Sequence, residues 1–179
     1  MLYLFGFERY AVVVSDLYFA DPDPGKDQQG PERGVRVELR MLGRGKLKGS
    51  IYSAQPISVN EPLWRADLLE SVDGPPGSFD RTHHHPAFHD WNPGRRHFAG
   101  ELSADPLGWL AGNLADLEGV LERAGAQPHE ADSADAASLR DSVPEIMDTV
   151  RRTLEKVQAG ELGVPSPSAD PANARVGWL

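Results

Sequence analysis

Apolar and polar residues alternate through much of the first half of the chain, which is the pattern of half-buried strands. In residues 35–41 every second position is apolar: Val35, Val37, Leu39 and Met41. Successive side chains of a strand point to opposite faces, so one face is expected in the core and the other in solvent. This segment is therefore the clearest predicted strand.

Several other segments of the first half are also predicted to be extended, because they are rich in β-branched and aromatic residues. They comprise residues 2–7, 10–19, 47–53, 55–70 and 96–102. A turn at residues 43–45 would make 47–53 the antiparallel return of a hairpin. Pro56 and Pro62 indicate an edge position or a bulge in the segment 55–70. Within that segment, residues 64–67 predict a buried indole and a cross-strand ion pair.

The second half of the chain shows helical periodicity. Asp105 and Pro106 are a typical helix start, and a leucine stripe follows up to Gly125: Leu107, Leu110, Leu114, Leu117 and Leu121. A short helix is predicted over 133–139. A capping box at residues 142–145 predicts one more helix, which ends at Gly160.

Strands followed by helices indicate an α+β fold. We expect an antiparallel β-sheet of about four to six strands in the N-terminal half, packed by two or three C-terminal helices. Residues 1–160 are expected to form a single domain. Residues 161–179 are rich in Pro, Ser and Ala and predict a flexible tail that ends in a docking segment.

The composition limits the kinds of partner that the protein is expected to bind and the cell compartments in which it is expected. The 179 residues include 27 acidic and 18 basic side chains, a net charge of −9, which disfavours binding to nucleic acid. The chain has no cysteine, so disulfides and thiolate metal sites are excluded. No apolar stretch approaches the length of a membrane helix, and no secretory signal is evident. The sequence predicts a cytoplasmic protein without a membrane partner, and its composition is typical of a GC-rich bacterial genome.

Five of the six histidines lie within residues 83–97: His83, His84, His85, His89 and His97. Pro86 favours an extended backbone before it, so His83 and His85 would project from one face and His84 from the other. Two such imidazoles can bind one divalent transition metal ion, such as Zn, Fe, Ni or Mn.

A third ligand is expected from His89, Asp90 or His97, and Asp80 or Glu101 could support the site or act as a general base. A metal-activated water would make the site hydrolytic. Arg95 and Arg96 are expected to bind a carboxylate or phosphate group of the substrate. The spacing fits no complete motif of a known metal enzyme, so the sequence leaves open whether the protein is an enzyme.

Other interpretations of the chain remain open. The histidine segment is also compatible with a loop that binds nothing, or with acid–base groups that act without a metal. The acidic charge favours an alternative function, that of a non-enzymatic interaction protein, immunity-type or an accessory subunit. Such a protein would bind a basic protein partner or form a homo-oligomer.

Overall fold

A computed structural model describes residues 1–21, 23–26 and 28–165 of the chain. Within these residues the chain forms five strands and four helices. The strands are β1 Leu2–Gly6, β2 Tyr10–Ala20, β3 Pro31–Arg44, β4 Ile57–Ser71 and β5 His83–His85. The helices are α1 Gly100–Ala104, α2 Pro106–Ala115, α3 Leu117–Arg123 and α4 Asp132–Gln158.

The five strands form one sheet in the order β1-β2-β3-β4-β5, and each strand is antiparallel to its neighbour in sequence. The helices pack against this sheet, so the predicted α+β class is confirmed. The register between β3 and β4 shifts on both sides of Arg40, which pairs with Pro62. The bulge predicted from Pro56 and Pro62 is thus present at Pro62, because proline cannot donate to the ladder, whereas Pro56 lies just before β4.

One face of the sheet forms the hydrophobic core together with the helices. The strand residues in this core are Tyr10, Val12, Val14, Val35, Val37, Leu39, Trp64, Ala66 and Leu68, and the helices contribute Leu110, Leu114, Leu117, Leu139, Ile146 and Val150. Burial of each large apolar side chain stabilises the fold by roughly 1.5–3 kcal/mol. The predicted buried indole is Trp64, which stacks on Trp109 of α2 at a ring distance of 5.9 Å.

Two predicted strands are wrong. Residues 47–53 lie in the loop between β3 and β4, where Ile51 and Tyr52 remain 82% and 91% exposed. A strand there would bury little apolar surface, so no hydrophobic gain favours pairing. In the segment 96–102, His97 alone makes a bridge to the sheet, and Gly100–Ala104 is helical, with Leu102 buried.

The helices also differ from the prediction. The leucine stripe is divided at Asp116, whose carboxylate accepts a hydrogen bond from Gly119 N at 3.2 Å and begins a new helix. In contrast, α4 continues through Pro144, and the predicted capping box is not formed. Leu139 before the proline and Ile146 after it are both buried, so one continuous apolar face offsets the lost backbone hydrogen bond.

The last part of the predicted tail, residues 166–179, lies outside the described residues. Among the helices that the structure describes, none has the length and apolar character needed to cross a bilayer. The single domain over residues 1–160 and the cytoplasmic location stay predictions.

Candidate metal centre

The register between β4 and β5 decides which histidines meet the rest of the sheet. His83 pairs with Asp67, His85 pairs with Arg65, and His84 lies between them. Because paired residues share a face, His83 and His85 lie with Asp67 on the face opposite the helices. His84 points to the helix side, where its ring lies 5.0 Å from that of Trp109. The histidine triplet is therefore divided between the two faces of the sheet.

Asp67, His83 and His85 form a buried cluster, with exposed fractions of 0%, 2% and 3%. Oδ2 of Asp67 lies 3.3 Å from Nε2 of His83 and 3.8 Å from Nε2 of His85. One ligand atom from each residue lies within 4.8 Å of the other two, and the rest of the described chain contains no second group of this kind. This cluster, called the triad below, could hold a metal ion.

Both triad histidines are oriented by the backbone. Nδ1 of His83 lies 2.8 Å from the carbonyl oxygen of Arg81, and Nδ1 of His85 lies 2.9 Å from that of Pro93. A carbonyl oxygen can only accept, so each Nδ1 carries a proton. Each Nε2 therefore presents its lone pair to Asp67 when the ring is neutral. Metal-binding histidines are commonly oriented by such a hydrogen bond from the other ring nitrogen.

Two arginines on the same face compensate the charge of Asp67. Nε of Arg36 on β3 lies 2.7 Å from Oδ1, and Nε of Arg65 lies 2.9 Å from Oδ2. The contact with Arg36 is the predicted cross-strand ion pair. Burial on its own raises the pKa of Asp67, but the positive charges of Arg36 and Arg65 hold this pKa well below its usual range. Asp67 is therefore a buried carboxylate that stays ionised.

Arg65 also contacts a triad histidine directly. Its Nη2 lies 2.9 Å from Nε2 of His85, which must accept this hydrogen bond. Burial, followed by the charge of Arg65, lowers the pKa of His85 to about 3. His85 is thus a neutral imidazole at physiological pH, which is the form that binds metal ions.

The triad lies at the floor of a cleft of about 1030 Å³ on the open face of the sheet. Its apolar lining includes Leu17, Phe19, Leu69, Phe88 and Trp91, and its charged lining includes Arg36, Glu38, Arg40 and Arg96.

One wall of the cleft comes from residues 86–96, which follow β5. Arginines of the sheet hold this segment in place: Arg65 lies over the ring of Phe88 and Arg40 over that of Trp91, at 5.7 and 5.5 Å. The cleft is thus a built concave site with a polar centre and apolar sides.

The structure does not bring the other predicted histidine ligands to the triad. His89 is exposed, and its backbone pairs with that of Asn92. His97 is also exposed, and its backbone pairs with His84, so its ring lies near His84, away from the cleft. Asp90 is exposed and has a positive φ of 56°. Asp67 occupies the place that the sequence analysis assigned to one of these three residues.

The predicted supporting residues are also dispersed. The Asp80 carboxylate accepts hydrogen bonds from Ser71 N and Ser78 Oγ, and Glu101 is exposed on α1. Arg95 is exposed. Arg96 does line the cleft, where its Nη1 lies 2.8 Å from Oε1 of Glu32.

The comparisons with known proteins do not identify a family. No protein-family model matches the chain, and neither a curated protein nor a solved structure matches it. The interpretation of the site therefore rests on its own geometry. Association with a basic protein partner, or into a homo-oligomer, stays a prediction.

Proposed function

We propose that the protein binds one divalent transition metal ion at Asp67, His83 and His85 and acts as a metal-dependent hydrolase on a small ligand in the cleft. The observation that carries this proposal is the convergence of two oriented Nε2 atoms on one buried carboxylate oxygen. Such a set of acceptors favours a cation among them. Two histidines and one carboxylate are a recurrent ligand set for divalent iron and zinc.

Three protein ligands leave coordination positions open for water. A divalent ion lowers the pKa of its bound water toward neutrality and so supplies hydroxide at physiological pH. The cleft opens onto the triad, so a ligand on the sheet face would meet this water. Hydrolysis of a bond in that ligand is the reaction class that such a centre supports best.

Arg65 competes with a metal ion for the triad. Its Nη2 donates a hydrogen bond to Nε2 of His85, the nitrogen that would bind the ion. An ion held by Asp67, His83 and His85 would therefore displace this hydrogen bond of Arg65.

The test is metal analysis of protein purified without a histidine tag and without chelators. We expect close to one equivalent of Zn, Fe, Ni or Mn, and calorimetric titration of metal-depleted protein should give the same stoichiometry. His83→Ala and Asp67→Asn should lose the ion. His89→Ala is the matched control, because His89 belongs to the same segment but is exposed and is not part of the triad.

Two results would overturn the proposed metal site. One is a content below about a tenth of an equivalent together with no calorimetric binding. The other is equal metal content in His83→Ala and His89→Ala, provided that circular dichroism shows both variants folded. The hydrolytic part is tested separately with chromogenic ester and phosphate-ester substrates. Activity should disappear with chelator, return with metal and be absent from Asp67→Asn.

A further inference from the structure

We propose that the metal-loaded triad takes an organic oxyanion, a ligand with a phosphate or carboxylate group on an apolar body, and that the metal ion and this anion strengthen each other's binding. This inference rests on the proposed function and specifies its ligand. The oxyanion would contact the ion and the Arg65 guanidinium, and the apolar body would lie on the side of the cleft.

The first support is charge balance on the cleft floor. The lining of the cleft contains four arginines, Arg36, Arg40, Arg65 and Arg96, and four carboxylates, Asp16, Asp21, Glu38 and Asp67, so its formal charge is balanced. A divalent ion bound between neutral histidines would leave two positive charges without a counter-charge. Such charge in a buried site is costly unless an anion compensates it.

The second support is the hydrogen bonding of Arg65. Its Nη2 uses Nε2 of His85 as an acceptor, and its Nε contacts Asp67 without a well-aligned hydrogen bond. A metal ion bound to Nε2 of His85 would occupy the acceptor of Arg65 Nη2. The same ion would compete with Arg65 Nε for the carboxylate of Asp67. Arg65 then needs another acceptor, and its guanidinium is planar and suited to the oxygens of phosphate and carboxylate.

The third support is the composition of the cleft beside the floor. Leu17 and Leu69 lie on the same sheet face as the triad, because both pair with Gly34 of β3. Phe19 follows on that face, and Trp91 stands at the rim with an exposed ring. A free inorganic anion would leave these walls unused, whereas an aromatic or aliphatic body would cover them.

The experiment is calorimetric titration of the metal-depleted full-length chain with Ni²⁺, alone and in saturating phenyl phosphate, benzoate, inorganic phosphate or phenol. Phenyl phosphate should tighten Ni²⁺ binding by about tenfold, a typical coupling between linked sites. Inorganic phosphate should act more weakly, and phenol should have no effect. Comparison of phenyl phosphate with benzoate shows which oxyanion the site prefers.

Reciprocity and two variants make the test specific. Ni²⁺ should tighten the binding of phenyl phosphate by the same factor, because coupling between two ligands is mutual. Arg65→Met should still bind Ni²⁺ but lose the coupling. Arg33→Met is the matched control, because Arg33 forms an ion pair with Glu70 at 3.1 Å and does not line the cleft.

Failure of this inference differs from failure of the proposed function. Ni²⁺ binding that none of the anions changes would overturn the anionic ligand and leave the metal site intact. Coupling that persists in Arg65→Met would show that this guanidinium does not bind the anion and would also overturn the inference. Absence of Ni²⁺, Zn²⁺ and Mn²⁺ binding would overturn the metal site itself.

Discussion

Arg65 and His85 face each other across the β4–β5 pair, with Nη2 of the arginine 2.9 Å from Nε2 of the histidine. A guanidinium can only donate, so this nitrogen of His85 is already used as a hydrogen-bond acceptor. On the proposed function, metal binding at the triad would be an exchange of cations, in which the ion takes an acceptor that Arg65 gives up. The affinity for metal would then depend on the cost of that exchange.

Replacement of Arg65 by methionine should raise the affinity for metal measured without any anion. The variant removes both the competing donor and a positive charge beside the ion, so Ni²⁺ should bind about tenfold more tightly, which corresponds to about 1.4 kcal/mol. Calorimetric titration measures the change, and Arg33→Met should leave the affinity unaltered. Equal or weaker binding by Arg65→Met would contradict the exchange.

Asp67 should also be important for stability. Asp67→Asn leaves the guanidinium groups of Arg36 and Arg65 buried beside a neutral amide, and removal of one partner of a buried ion pair costs about 3–5 kcal/mol. Urea unfolding followed by circular dichroism should show this loss. Asp148→Asn is the control, because Asp148 pairs with Arg152 at an exposed position of α4, and it should cost less. Equal stability of the two variants would argue against the network.

Part of the site could be predicted from the sequence. The alternation rule placed His83 and His85 on one face and His84 on the other, and the structure has this arrangement. Asp67 was missed as a member of the triad because its partner strand and register depend on tertiary pairing, which no local pattern encodes. A signal was present, since Arg65 and Asp67 are two charged residues within the otherwise apolar stretch 63–69. From the sequence, this carboxylate is predicted to form an ion pair only.

The fold was predicted best where periodicity is strong. The alternation of β3 and the order of strands before helices gave the α+β class. The predicted helix boundaries are wrong where burial of apolar side chains outweighs local sequence signals. Helix α4, for example, continues through Pro144 because residues on both sides of the proline are buried. The strand predicted over residues 47–53 is wrong for the opposite reason. The apolar side chains of this segment, such as Ile51 and Tyr52, remain exposed, so pairing with the sheet would bury little apolar surface.

The proline inside α4 supplies a further prediction. Pro144 is exposed, so Pro144→Ala should remove little packing while it restores a backbone donor and relieves the clash of the ring with the preceding turn. The free energy of unfolding should rise by about 1–3 kcal/mol. Thermal and urea unfolding measure the gain, with Asp141→Ala, an exposed position on the same helix, as the control. A loss of stability would mean that α4 needs a kink at this position.

The start of α4 should give the protein a specific dependence on acid pH. Burial tends to raise the pKa of Asp132, but the Tyr10 hydroxyl, the His129 backbone N–H and Arg9 outweigh it and lower this pKa. The folded state therefore favours the ionised form. The stabilisation is complete above the pKa of the unfolded chain, about 3.9, and is lost as the pH falls through the lower folded value.

Asp132→Asn should accordingly be less stable than the unsubstituted protein at pH 7, by on the order of 1 kcal/mol. The difference should shrink as the pH falls below about 4, where the unsubstituted protein loses the same contribution. Urea unfolding at a series of pH values measures both quantities. A difference that stays constant down to pH 2, or one equal to that of Asp141→Asn, would exclude this role for Asp132.

The three consecutive histidines of β5 are identical in sequence but have different roles, because His84 faces Trp109 and its two neighbours face the cleft. Insertion or deletion of one residue just before the triplet would preserve its composition yet shift the pairing by one, and every side chain would change face. One imidazole instead of two would then meet Asp67. The loop that precedes β5 can therefore change in length only if the residues from Thr82 onward keep their register with β4. A sequence that had lost this register would still contain the same number of histidines, so their number alone would not reveal the loss of the site.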